Sequence, residues 1–200
     1  MMRNLVAVGA LALTMGWLAA VRPGTAAPDP AVFIGDLGTQ GIQVLGPNVP
    51  MEPRLARFRQ LLQQDFDLPE IGRFVLGPYW RELTAGQQQE FLGLFEEHTA
   101  RAYSDRLGRF GGAPFRVTGS TVLDDEIVVA SRVDRADKPP VLIDWHLVER
   151  DGGYKITDVD VDGDSMELAQ RDAFASLIED NGDSAGAVLA VLRQQLAATR

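Results

Sequence analysis

Cysteine is absent from this chain of 200 residues. That excludes a disulfide scaffold, a thiol nucleophile and any zinc site built on thiolates. Histidine is almost as scarce, with only His98 and His146, and neither stands in an H-E-x-x-H pattern. Lysine is limited to Lys138 and Lys155. The sequence has no Walker loop and no G-x-G-x-x-G run, so two common nucleotide-binding signatures are missing. Basic charge is the minority, and the net charge is −9. Duplex nucleic acid and anionic membrane surfaces should repel such a chain over long range.

A long apolar run occurs once, from Leu5 to Ala20, behind Arg3 and ahead of the small residues Gly24, Thr25, Ala26 and Ala27. The layout is that of a secretory signal peptide at residues 1–26, and the run is short for a membrane span. Cleavage after Ala26 leaves residues 27–200 as one exported domain by length. Without Arg3 and Arg22 the 19 basic residues fall to 17 against 28 acidic, a net charge of −11. An exported chain without disulfides relies on its apolar core.

The remaining chain divides into a helical half, a strand half and a helical tail. Phe33, Ile34, Leu37, Ile42 and Leu45 suggest a first helix interrupted by Gly35, Gly38 and Gly41. Leu55, Phe58, Leu61, Leu62 and Phe66 recur as one helical face, and Pro69 restarts the chain into a short helix stopped by Gly77 and Pro78. Thr84 and Gln87 form a capping box before the longest helix, whose stripe is Phe91, Leu92, Phe95, Ala102, Tyr103 and Leu107. Four strands follow: FRVTGSTV, EIVVASRVDR, PVLIDWHLVER and YKITDVDV. The turns RADKPP and RDGGY make sequential antiparallel hairpins the economical arrangement. The expected fold is α+β: a four-stranded antiparallel sheet packed on one face by several helices.

The acids of DVDVDG, from Asp158 to Gly163, match the start of a calcium loop, but the position that needs a bidentate Glu is Ala169. Period-two alternation instead predicts a strand with Val159 and Val161 inward, Asp158, Asp160 and Asp162 toward water, and Ser165 or Asp164 capping the next helix. No metal and no cofactor is expected. His98 reads as an edge-of-core histidine, and the paired acids near Asp65, Asp67, Asp124 and Glu126 as solvated turn residues, so no catalytic residue is assigned.

What stands out is apolar. Phe74, Val75, Tyr79, Trp80, Phe91, Phe95, Tyr103, Val129, Ile143, Trp145, Val159, Val161, Met166 and Phe174 are expected to converge between helices and sheet, where a plain packed core is the simpler reading and a ligand cavity the other. Periodicity describes a solid core and a hollow one equally well. A small cone-shaped α+β hydrolase or isomerase with His98 or an Asp at the cavity mouth, and a solid-core adaptor protein, are the rival readings.

The segments FDLPEIGRFVLGPYWRELTAGQQQEFLGLFEEHTARAY, PPVLIDWHL and DGGYKITDVDVDGDSMELAQRDAFASLI resemble the MlaC-type periplasmic lipid-binding proteins, also called the toluene-tolerance auxiliary family. Within that family the likeness is greatest to the hopanoid-associated HpnM branch. Leu76, Gly77, Tyr79 and Trp80 match the family's L-G-x-Y-W, and Gly163, Ser165 and Met166 its G-x-S-M turn. The chain departs from the pattern at Pro78, where a basic or polar residue is common, and at Asp164, where an apolar one is usual. The resemblance implies a monomeric, non-enzymatic carrier that holds a phospholipid or a hopanoid in an apolar cavity between sheet and helices, with the converging residues from Phe74 to Phe174 as its lining. It would shuttle between an inner-membrane Mla-type ABC transporter complex and an outer-membrane lipid-accepting complex.

Overall fold

A computed structural model describes residues 28–44, 48–108, 112–124, 126–182 and 184–198. The expected leader at 1–26, Leu45 and the side chain of Leu107 lie outside these residues. In chain order come α1 (Pro30–Val44), α2 (Met51–Asp65), α3 (Leu68–Leu76), a 3-10 segment (Gly77–Glu82) and α4 (Ala85–Gly108). Then follow β1 (Phe115–Leu123), β2 (Glu126–Arg135), β3 (Lys138–Arg150), β4 (Gly153–Val161), β5 (Asp164–Ser165), α5 (Met166–Asp180) and α6 (Ala185–Ala198).

The strands pair antiparallel in the order β1-β2-β3-β4-β5, so the sheet has five strands where four were expected. The fifth arises because Asp162 and Gly163 take positive φ of 53° and 92°, which folds Asp164 and Ser165 back onto Val161 and Asp160. Two consecutive left-handed residues make a tight primed turn, and Asp-Gly supplies one at low cost. Asp151 and Gly152 do the same between β3 and β4, with φ of 53° and 78°. The hairpin from β2 to β3 is tighter than RADKPP implied: Arg135 pairs with Lys138, and Pro139 and Pro140 begin β3 itself. Their missing N–H groups are tolerated because β4 reaches only as far as Ile143 along β3.

Local contacts set both ends of α3 and the start of α4. The Oδ1 of Asp67 accepts the Glu70 N–H at 3.3 Å and starts α3. Gly77 ends α3 at φ 53° and ψ −124°, a backbone position that disfavours any side chain. The Gln87 N–H donates to Thr84 Oγ1 at 3.3 Å while Gln87 Oε1 accepts the Thr84 N–H at 2.9 Å, the reciprocal capping box expected at α4. The helices pack on one sheet face around fully buried Phe91 and Phe95, whose rings stack at 5.6 Å. Phe174 of α5 meets the two rings edge-on at 5.8 and 5.9 Å, and Trp80 meets Phe91 at 6.4 Å. Across α2 and α4, Arg59 reaches Glu97 at 2.6 and 2.9 Å, and Glu97 also accepts from Arg101 at 2.6 Å. Arg101 in turn donates to the Leu196 carbonyl at 3.0 Å, tying in the end of α6.

The acids of DVDVDG are not simply turned to water. Asp158 Oδ1 accepts the Glu167 N–H at 2.8 Å and its Oδ2 accepts the Ser165 hydroxyl, while Ser165 Oγ accepts the Leu168 N–H at 3.0 Å. Asp158 and Ser165 together cap α5. A β-bulge in the pairing of His146 and Leu147 with β4 takes Asp158 out of strict alternation. Asp160 meets His146, and Asp162 Oδ1 accepts the Leu142 N–H at 2.9 Å. Only Val159 and Val161 keep the expected inward register.

Candidate functional site

Between the helical layer and the sheet lies a cavity of about 220 Å³. Leu37, Gly38, Gly41 and Ile42 of α1 form one wall, and Phe58, Leu61 and Leu62 of α2 another. Phe66, Leu68 and Ile71 continue that wall, and Phe95, Thr99 and Tyr103 come from successive turns of α4. The sheet contributes Phe115, Val133, Val141, Ile143, Trp145, Thr157, Asp158, Val159 and Val161, and α5 contributes Met166, Glu167 and Gln170.

Trp145 can turn its ring to the cavity because its polar edge is satisfied behind it. Its Nε1–H donates to Ser131 Oγ at 2.8 Å, and Ser131, only 2% exposed, donates to the Ile143 carbonyl at 3.1 Å. Phe115 stands edge-on to Trp145 at 6.4 Å and also fills the notch at Gly38, where an added Cβ would lie 2.3 Å from the Phe115 ring. Helix α1 therefore approaches β1 as closely as it does because residue 38 has no side chain.

Polar groups are few and confined to α4, β4 and α5. Thr157 Oγ1 donates to the His146 carbonyl at 3.3 Å. Thr99 is 7% exposed, and its Oγ1 has no partner. Burial pushes Glu167 up to about 7, helped by the nearby charges of Asp158 and Glu70 and opposed by those of His146 and Arg171. Among the described residues no Lys, Arg or His lines the cavity.

Of the residues expected at the cavity, Phe95, Tyr103, Ile143, Trp145, Val159, Val161 and Met166 line it. Phe74, Val75, Tyr79, Trp80, Phe91, Val129 and Phe174 do not. Phe91, Phe174 and Trp80 belong to the aromatic cluster between helices. Val75 and Val129 are closed into the core, and Tyr79 packs against its edge. Phe74 lies under the Arg171 guanidinium, 4.7 Å from its ring centroid. These seven share helical or strand periodicity with the lining, which reports the buried side of an element but not which part of it faces a void. The walls from α1 and α2 went unassigned although Leu37, Ile42, Phe58, Leu61 and Leu62 already stood on apolar helix faces.

The histidines take structural positions. His98 packs edge-on to Phe174 at 5.8 Å, and burial lowers its pKa. His146, on the outer sheet face, lies 3.2 Å from Glu126 and 3.3 Å from Asp160. Burial opposes its charge, but hydrogen bonds and attraction to Glu126 and Asp160 prevail and raise its pKa. Residues 182–186, GDSAG, have the G-x-S-x-G form. They join α5 to α6 rather than a strand to a helix, so the strand-to-helix turn of a nucleophile elbow is not formed at Ser184.

Residues 48–194 match the family described as MlaC protein. The chain belongs to the MlaC family. The fold is shared with a phospholipid-binding protein from Ralstonia solanacearum, solved in complex with a phospholipid. The two chains are 20% identical and superpose with a TM-score of 0.71 over 85% of this chain and 98% of that one. The family match includes the Leu76–Trp80 and Gly163–Met166 motifs and all the lining residues except those of α1, which precede it. Helix α1 is thus a wall of this MlaC-family cavity supplied from outside the matched region.

Proposed function

We propose that this MlaC-family protein is a lipid carrier that holds the acyl part of a phospholipid, or the apolar body of a hopanoid, in the cavity between helices and sheet. The observation that carries the reading is the nearly all-apolar lining, drawn from α1, α2, α4, α5 and the inner face of the sheet. The phospholipid bound by the similarly folded Ralstonia protein supports it. With no cation among the described lining residues, they offer a phosphate headgroup no counter-charge inside, and the headgroup stays in solvent.

Each buried methylene contributes about 0.8 kcal/mol, so about ten of them contribute about 8 kcal/mol and hold the ligand firmly. At about 220 Å³ the cavity is smaller than pockets that bury drug-sized ligands; those span about 300–1,000 Å³. A two-chain lipid is therefore taken up as the walls part, and release is driven by a partner that stabilises the parted state.

The resemblance supplies the setting of the proposal. Residues 1–26 direct export, the carrier works in the periplasm, and it exchanges lipid with an inner-membrane Mla-type ABC transporter complex and an outer-membrane acceptor. Its net negative charge keeps it off anionic bilayers between deliveries. Native mass spectrometry of the protein purified from its exported form, followed by lipid extraction, tests the reading. About one phospholipid or hopanoid per chain is expected, and a chain that is empty after gentle purification overturns it.

A further inference from the structure

Two glycines of α1, one turn apart, both line the cavity, yet they are glycines for different reasons. Gly38 is required by packing, since an added Cβ would lie 2.3, 2.5 and 2.6 Å from atoms of the Phe115 ring. Gly41 has no such neighbour: no described atom lies within 4 Å of a Cβ built there. Nor does its backbone take the positive φ found at Gly77 and Gly163. A glycine inside a helix destabilises it relative to alanine, and neither close packing nor backbone geometry explains this one. Because Gly41 also lines the cavity, the place of its missing side chain is open space beside that cavity among the described residues.

That room is more than a packing defect. Elsewhere in the same lining, on α4, Thr99 is 7% exposed and its Oγ1 has no hydrogen-bond partner. A buried hydroxyl is normally paired, and a ligand group such as an ester carbonyl or a hydroxyl would pair this one. The free space and the unpaired hydroxyl belong to one cavity.

We propose that Gly41 sets the capacity of the cavity, leaving the space into which the apolar body of an acyl-bearing amphiphile extends and so deciding how bulky a ligand this protein accepts. The inference rests on the carrier reading above and adds the residue that limits ligand size. Among the described residues a larger side chain at position 41 meets no neighbour, so it competes with the ligand and not with the fold.

The test compares lipids extracted from the purified wild-type protein with those from Gly41→Leu, Gly41→Ala and Gly93→Ala. Gly93 is an exposed helical glycine on α4 with equally open surroundings, and it does not line the cavity. Gly41→Leu is expected to hold at least tenfold less lipid per chain, or only shorter chains, while its circular dichroism spectrum stays that of the wild type. Gly41→Ala, the variant that decides the matter where leucine impairs folding, should melt at a higher temperature and shift the bound pool toward shorter chains. Gly93→Ala should also melt higher but keep the wild-type lipids. A loaded wild type beside equally and identically loaded, folded Gly41 variants overturns the role of Gly41 and leaves the carrier reading standing. A wild type without lipid removes both.

Discussion

Asp158 carries more of the structure than its place in an alternating acidic strand suggests. One carboxylate oxygen holds the Glu167 N–H at 2.8 Å and the other takes the Ser165 hydroxyl, so a strand residue finishes the cap of the helix that follows it. Asp158→Ala removes both acceptors and exposes the first turn of α5. A loss of about 1–2 kcal/mol in guanidinium unfolding is expected. The same change removes a negative charge beside Glu167, so the Glu167 carboxyl should titrate closer to the ordinary range. Unchanged stability together with an unchanged Glu167 titration would remove Asp158 from the cap.

Helix α5 shows how one element can answer to both fold and ligand. Phe174 and Ile178 face the core, while Met166, Glu167 and Gln170 at its start face the cavity. A carboxyl held at about 7 by burial and by Asp158 and Glu70 binds its proton more tightly folded than unfolded. Its contribution to stability is complete below the unfolded value near 4.5 and is lost as pH rises through about 7. Glu167→Gln removes that dependence. Because the side chain is only half-buried and partly screened by solvent, the variant should gain about 1 kcal/mol over the wild type at pH 8. The difference should vanish near pH 4, and denaturant unfolding at the two pH values measures it. Glu97, between α2 and α4, has the opposite sign. Hydrogen bonds from Arg59 and Arg101 lower its pKa, so what it adds is present at neutral pH and lost in acid.

At the scale of the whole molecule, carriage depends on keeping water-favouring groups off the inner faces of two layers at once. Ile143 of β3 and Val159 of β4 project from the sheet into the cavity. Val159→Glu or Ile143→Glu would place a charge where no described lining residue is a cation. Either variant is expected to retain its helix and sheet content yet carry less than a tenth of the wild-type lipid by native mass spectrometry. Full loading of a folded variant would move the ligand elsewhere.

The sequence by itself determined the helices, the sequential hairpins and the half-buried strands, because hydrophobic period, capping residues and Asp-Gly turns act over a few residues. Val141, Ile143, Trp145 and Leu147 were legible as one face of β3 for that reason, and Thr84 and Gln87 as the start of α4. Which buried faces enclose a void was decided only in three dimensions. Phe91 and Phe95 are both fully buried on one helix, yet Phe95 borders the cavity and Phe91 does not, a difference of neighbours rather than of pattern. The bulge that turns Asp158 onto α5, and the ring of Phe115 that explains Gly38 while leaving Gly41 unexplained by packing, likewise depend on contacts between segments far apart in the chain.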